Sequence, residues 1–187
     1  MNLPNMGPGP TRYIYFPPEP GVKELRLNDM WLGRWSDADE LPEGAPVIYI
    51  HALLYMGDKG YVVREKGTEH WHTIEGEVSG EDAETWIKRE VHARTGATVG
   101  KMTLIGFLDC RPTKFNTEFP ADSFAVRPLY VVVATKVDET PEGSGFERRR
   151  LPMNEHLAVM RSRYPEIREH IDAAASRYVK MRATGEA

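Results

Sequence analysis

The sequence predicts an α+β domain, a mixed β-sheet covered by helices. That class follows from three features of the chain. Residues 46–137 carry short apolar runs rich in β-branched residues, bounded by turns that hold Gly, Asp and Pro. Between those runs, Ala83, Ile87 and Val91 recur every four positions, the repeat of a half-buried helix. A second segment of that kind, PEIREHIDAAASRYVKM, follows Pro165 near the end of the chain.

Residues 1–45 read as an extension. Pro4, Pro8, Pro10, Pro17, Pro18 and Pro20 interrupt regular structure there. Tyr13, Tyr15, Phe16, Trp31, Leu32 and Trp35 make the segment too apolar for a free tail. They are expected to pack on the domain or across a homodimer interface. Residues 46–187 then form one domain. PVIYIHALLYM and YVVREKG read as a strand pair, with Gly57, Asp58 and Gly60 supplying the turn. EHWHTIEG is a further short strand. Residues 80–95 form a helix capped by Ser79 or Gly80, with Glu81, Asp82 and Glu84 at its positive end and Gly96 just past its last turn.

KMTLIGFLDCRPT and LYVVVATKV are strands, and KFNTEFPADSFAVRP is the loop between them. FERRRLP is a short strand. NEHLAVMRSR reads as a helix capped by Asn154. The last helix starts near Pro165, a favoured first helical residue, with Ile167, Ile171, Ala174, Tyr178 and Met181 on its buried side.

Of 187 residues, 41% are hydrophobic and 28% charged, values of a folded globular domain. The net charge is −4 and the densest basic cluster is Arg148, Arg149 and Arg150, so no nucleic-acid polymer is expected as a partner. No run approaches the roughly 18 apolar residues that a membrane helix needs. The start MNLPNMGPGPTR lacks the apolar core of a secretory signal. A single cysteine, Cys110, fits a reducing compartment, and a cytoplasmic location is expected. It lies in an apolar stretch, where packing is the expected role.

Residues 75–97, EGEVSGEDAETWIKREVHARTGA, carry the most specific pattern. Glu81, Arg89, Glu90, Val91 and Gly96 stand at the spacings of the Nudix box, which this segment resembles. Glu75 stands at the first glycine of that pattern, with Gly76 next. Ala93 and Arg94 stand where the pattern has two glutamates. The order of elements over residues 46–180 is also similar to the Nudix fold, an α/β/α sandwich with a mixed central sheet. RRRLPMNEHLAVM resembles the family's late strand, turn and short helix.

The resemblance implies hydrolysis of a phosphoanhydride in a nucleoside-diphosphate-linked or similar compound by a metal-activated water. Magnesium or manganese would be the cofactor, held by carboxylates on one helix face. Glu90, Arg89 and Glu81 are the implied catalytic residues. Glu90 and Glu81 are the implied metal ligands, and Arg89 orients carboxylates. In this chain the same face reads Trp86, Glu90, Ala93, Arg94. Alanine offers no ligand, and arginine brings a fixed positive charge. Glu90 and Arg94 are also spaced for an ion pair within the helix. No acidic residue lies three or four positions from Arg89, so its partner is expected from elsewhere in the fold.

Other residues enter the same reading. His70 and His72 alternate along an expected strand and, with Glu75 or Glu90, form a second candidate set, suited to zinc, manganese or iron. His51 is expected to be structural. By position in the fold, the loop 113–126 offers Glu118 and Asp122, with Phe115, Phe119 and Tyr130 to stack on a base. Arg94, Glu118 and Phe119 are the candidate ligand contacts, and the expected partner is a small phosphorylated molecule. Two functions stay open: a hydrolase with a metal site impaired by Ala93 and Arg94, or a non-catalytic module of the same fold. Such a module needs no cofactor and binds a nucleotide-like ligand or a protein.

Overall fold

The computed structural model describes residues 23–187. The prolines and aromatic residues expected to matter before that point lie outside the described residues. Eight strands build one mixed sheet: β1 (Glu24–Arg26), β2 (Trp31–Asp37), β3 (Tyr49–Met56), β4 (Lys59–Glu65), β5 (Ile74–Glu77), β6 (Ala97–Pro112), β7 (Ala125–Val137) and β8 (Phe146–Pro152). Three helices cover it: α1 (Ala83–Thr95), α2 (Met153–Arg163) and α3 (Arg168–Ala183). The strand order is β1-β2-β6-β7-β3-β4-β8. The β3–β7 pair is parallel and the other pairs are antiparallel. β5 shares an edge of β3 with β4, because Tyr49–Ala52 pair with β5 while Leu54–Met56 pair with β4.

The two-residue side-chain period of β3 divides the core. Ile50, Ala52 and Leu54 pack with Ala83, Trp86, Ile87 and Val91 of α1. Leu53 and Tyr55 face the opposite way, toward Met160 of α2 and Ile171, Ala174, Tyr178 and Met181 of α3. The helices therefore sit on both faces of the sheet, the expected sandwich. No helix of the described residues is long and apolar enough to cross a membrane.

Several elements differ in detail from the sequence expectation. Part of the segment read as an extension is strand. β2 runs along β6 from Trp31 opposite Pro112 to Asp37 opposite Gly106, and Trp31 is buried in the core on the α3 side. β6 and β7 span 16 and 13 residues, with register shifts near Val99 and Gly106 that interrupt a uniform ladder. Pro128 falls inside β7, opposite Phe107 and ahead of Leu129, the first residue paired with β3. A proline is tolerated where a strand lacks a continuous partner on one side. This explains how a segment read as loop extends the strand.

The α1 cap is Asp82, rather than Ser79 or Gly80. Its carboxylate accepts the Thr85 backbone N–H at 2.9 Å. Asp82→Ala is expected to lower stability, the usual effect of losing such a cap, measurable by urea unfolding. At the other end, Gly96 adopts φ +71° and its N–H donates to His92 O at 2.8 Å. A Cβ there would stand 2.2 Å from Glu139 O, so glycine meets both a positive φ and a close backbone approach. α2 begins at Met153 directly after Pro152, so Asn154 lies within the helix instead of capping it. A short 3₁₀ turn, Pro165–Ile167, leads into α3.

Candidate functional site

The box helix carries its charged residues on the side facing β5 and β8. Arg94 is the centre of the arrangement. Its Nε and Nη2 each lie 2.7 Å from Glu90 Oε2, and its Nη1 donates to the Glu75 backbone carbonyl at 2.8 Å. The guanidinium lies 4.7 Å from the Phe146 ring centroid and 5.9 Å from that of Trp86. Its side chain is 13% exposed. Gly76 makes the approach of helix and strand close: a Cβ there would meet Trp86 at 3.1 Å and Arg94 at 3.4 Å. The Trp86 indole N–H donates to Glu77 O, which fixes the ring over β5.

Arg89 reaches two carboxylates, through Nη1 to Glu90 and through Nη2 to Glu81. One of these partners is its immediate neighbour in sequence, a pairing the helical spacing rule does not cover. The other stands just before the Asp82 cap. Glu90 is thus held by two arginines, with one oxygen on each. Arg89 remains half exposed, whereas Glu90 is only 16% exposed. Glu90, Arg89, Glu81 and Arg94 therefore come together as one network. Among the described residues no three His, Cys, Asp or Glu side chains form a group that could hold a metal ion.

Most other sequence candidates are dispersed, although His72 comes to Glu75, one of the partners expected for it. His70 is exposed and lies outside any strand. His72 pairs with Val63 through an isolated bridge, and its Nδ1 lies 2.6 Å from Thr73 O. Glu118 is exposed. Phe119 packs edge-on against Trp31, with ring centroids 4.8 Å apart. Asp122 borders a surface hollow with Arg111, Ala121 and Ser123. Phe115 is exposed, and Tyr130 is partly buried against the α1-side core. Cys110 is fully buried, and burial pushes its thiol up to about 12.

On the sheet face opposite α1 lies a second polar group that the sequence did not reveal as a unit. The Glu75 side chain points there, while its own carbonyl serves Arg94. Its carboxylate lies 3.3 Å from His51 Nε2, 3.8 Å from His72 Nδ1 and 3.9 Å from an Arg163 nitrogen. The Tyr164 hydroxyl also bonds it and accepts the Thr73 N–H at 3.0 Å. Burial alone would raise the Glu75 carboxyl, yet His51, Tyr164 and His72 together hold it below its ordinary value.

Tyr49, beside His51 on the strand, is covered by the Arg127 guanidinium at 4.3 Å from the ring centroid. Burial pushes the Tyr49 phenol up to about 12. Glu75 adds to that rise, while Arg127, Arg94 and Arg163 oppose it. Tyr49, His51 and Glu75 are legible as a set only once β3 and β5 are known to pair, since Tyr49 stands opposite Glu77 and His51 opposite Glu75.

No family model and no curated protein matches the chain. Among solved structures, the pyrophosphohydrolase BsRppH of Bacillus subtilis is similar over 70% of this chain and 77% of its own, with TM-score 0.53 and 16% identity. A Nudix hydrolase from Nitrosomonas europaea is similar over 70% of this chain and 89% of its own, with TM-score 0.48 and 18% identity. At 16% identity the likeness to the Bacillus protein is one of fold. The mixed sheet between two helical layers, with the box residues on and just before the helix that follows β5, is the Nudix fold.

Proposed function

We propose that this chain binds a phosphorylated small molecule of the nucleoside-diphosphate class, in a Nudix fold whose box has become an arginine clamp. One observation carries it. Arg94 spans the Glu90 carboxylate and the Glu75 carbonyl, two oxygens that would otherwise be open to a cation. The guanidinium places a permanent positive charge between them, and Ala93 adds no ligand. Magnesium favours several oxygen ligands in octahedral geometry. The residues here do not fit it, because Arg94 occupies the oxygens and Ala93 supplies none. The fold neighbour's pyrophosphohydrolase activity supports the ligand class.

Calorimetric titration with magnesium, manganese and zinc tests the clamp. The expected result is no micromolar binding of magnesium in the absence of ligand. The double change Ala93→Glu with Arg94→Glu is expected to raise metal affinity. Micromolar magnesium binding by the unaltered protein would overturn the clamp.

A hydrolase is the second reading, and a specific observation favours it. Glu81 and Glu90 converge on one guanidinium, that of Arg89, which is half exposed. Displacing that exposed arginine would leave two carboxylates facing one point, where magnesium or manganese could bind. Release of phosphate or pyrophosphate from a nucleoside-diphosphate panel, stimulated by manganese and abolished by Glu90→Gln, would establish this alternative. No turnover with either metal supports the binding module.

A further inference from the structure

We propose that Arg127 and Arg163 form an anion site beside the box and take the phosphate group of the ligand. This rests on the preceding proposal that the ligand is a phosphorylated small molecule. It assigns the contact to different residues from the box arginines, because those are already engaged. All three side-chain nitrogens of Arg94 contact Glu90 or the Glu75 carbonyl. Both terminal nitrogens of Arg89 contact carboxylates.

Arg127 is in a different condition. It makes no ion pair among the described residues, and its buried Nε has no hydrogen-bond partner. Its guanidinium lies over the Tyr49 ring, 4.3 Å from the centroid. Stacking of this kind fixes the fork while leaving its edge donors to bind an oxyanion. Arg163, at the end of α2, is 46% exposed, and its nearest carboxylate oxygen, on Glu75, is 3.9 Å away. That carboxylate is already shared among His51, His72 and Tyr164. Arg163 is therefore weakly held and can turn to a stronger acceptor.

Charge counting points the same way. Arg127 lies over Tyr49, and Arg163 lies beside Glu75, whose partner His51 is two residues along β3 from Tyr49. Glu75 faces Arg163 at 3.9 Å, and Arg127 makes no ion pair among the described residues. A phosphate oxyanion supplies the missing charge and accepts from both guanidiniums. Charge-assisted bonds of this type are the strong ones.

The test uses inorganic pyrophosphate and ADP as probes, titrated calorimetrically into the full chain with a chelator present. Wild-type binding should weaken with added salt and be insensitive to the chelator. Arg127→Gln and Arg163→Gln should each weaken it by about tenfold or more, the effect of losing one charge-assisted bond. Arg127→Lys should recover only part, because it keeps the charge and loses the fork. Circular dichroism and thermal unfolding establish that each variant is folded. Should Arg127→Gln fail to fold, the exposed Arg163→Gln decides alone. If the folded double variant Arg127→Gln with Arg163→Gln binds ADP as the wild type does, the anion site is wrong while the ligand class stands. If the wild type binds neither probe, the phosphorylated-ligand reading falls and the site with it.

Discussion

Arg94→Ala is expected to destabilise the protein by about 3 kcal/mol, the lower part of the range for breaking a buried ion pair. Three losses combine. Glu90, mostly buried, loses one of its two guanidinium partners. The Glu75 carbonyl loses its Arg94 donor. The space between Trp86 and Phe146 loses the flat group that fills it. The lower part of the range applies because Arg89 still neutralises the other Glu90 oxygen. A double-mutant cycle with Glu90→Gln isolates the pair. Removing both partners should cost much less than the sum of the single losses, since no buried charge is then stranded. Urea unfolding with unchanged slope is the measurement. A loss under about 1 kcal/mol for Arg94→Ala would make the contact an ordinary surface pair and weaken the proposal that it closes the box.

The stability of this clamp bears on how a site can change function. On the proposed reading, an arginine between the two oxygens stands in place of an external cation. The charge at that point is kept and the open coordination position is lost. On the proposed reading, ligand recognition depends on residues outside the box.

The sequence made the box network legible because it lies within one helix and its approach. Glu90 and Arg94 are four residues apart, and that spacing alone places them together. The Arg89 partners escaped the rule because one is adjacent in sequence and the other precedes the cap. The Glu75 cluster was not legible for a different reason. His51, Glu75 and Tyr164 come from β3, β5 and the end of α2, and only the tertiary fold brings them together. Arg127 was hidden by Pro128, which turned the start of β7 into an expected loop. The central strands and the buried sides of α1 and α3 were legible, apart from shifted strand ends, because apolar periodicity is a local signal. The edge strands before Tyr49 were not, because their hydrogen bonds go to β6, more than sixty residues later.

Acidification from pH 6.5 to pH 4 is expected to remove about 3 kcal/mol of stability through a single buried histidine, His156. It sits on α2 at 1% exposure. Tyr55 meets its ring edge-on with centroids 5.0 Å apart. Among the described residues neither ring nitrogen has a well-formed hydrogen bond, and only the Tyr61 backbone approaches the ring. Burial pushes the imidazole down from 6.5 to about 4, and the Tyr61 backbone opposes this without offsetting it. The sign follows directly. Above pH 6.5 the ring is neutral in both the folded and the unfolded chain, and no stability is lost. Between pH 6.5 and pH 4 the unfolded chain takes up a proton that the folded chain refuses, so stability falls as pH falls. Below pH 4 both states are protonated and the loss levels off. His170, whose ring burial also lowers, contributes in the same direction, so a comparison with a variant is needed. His156→Leu removes the titrating group and keeps an apolar side chain of similar size. It should show a flatter stability profile across this window and at least wild-type stability at pH 4. Gly60 constrains the choice of substitution, because a Cβ there would stand 2.3 Å from the ring, and little room exists for a larger residue at position 156. Urea unfolding at half-unit pH steps gives both profiles, and parallel curves for the two proteins would show that His156 is not the group that titrates.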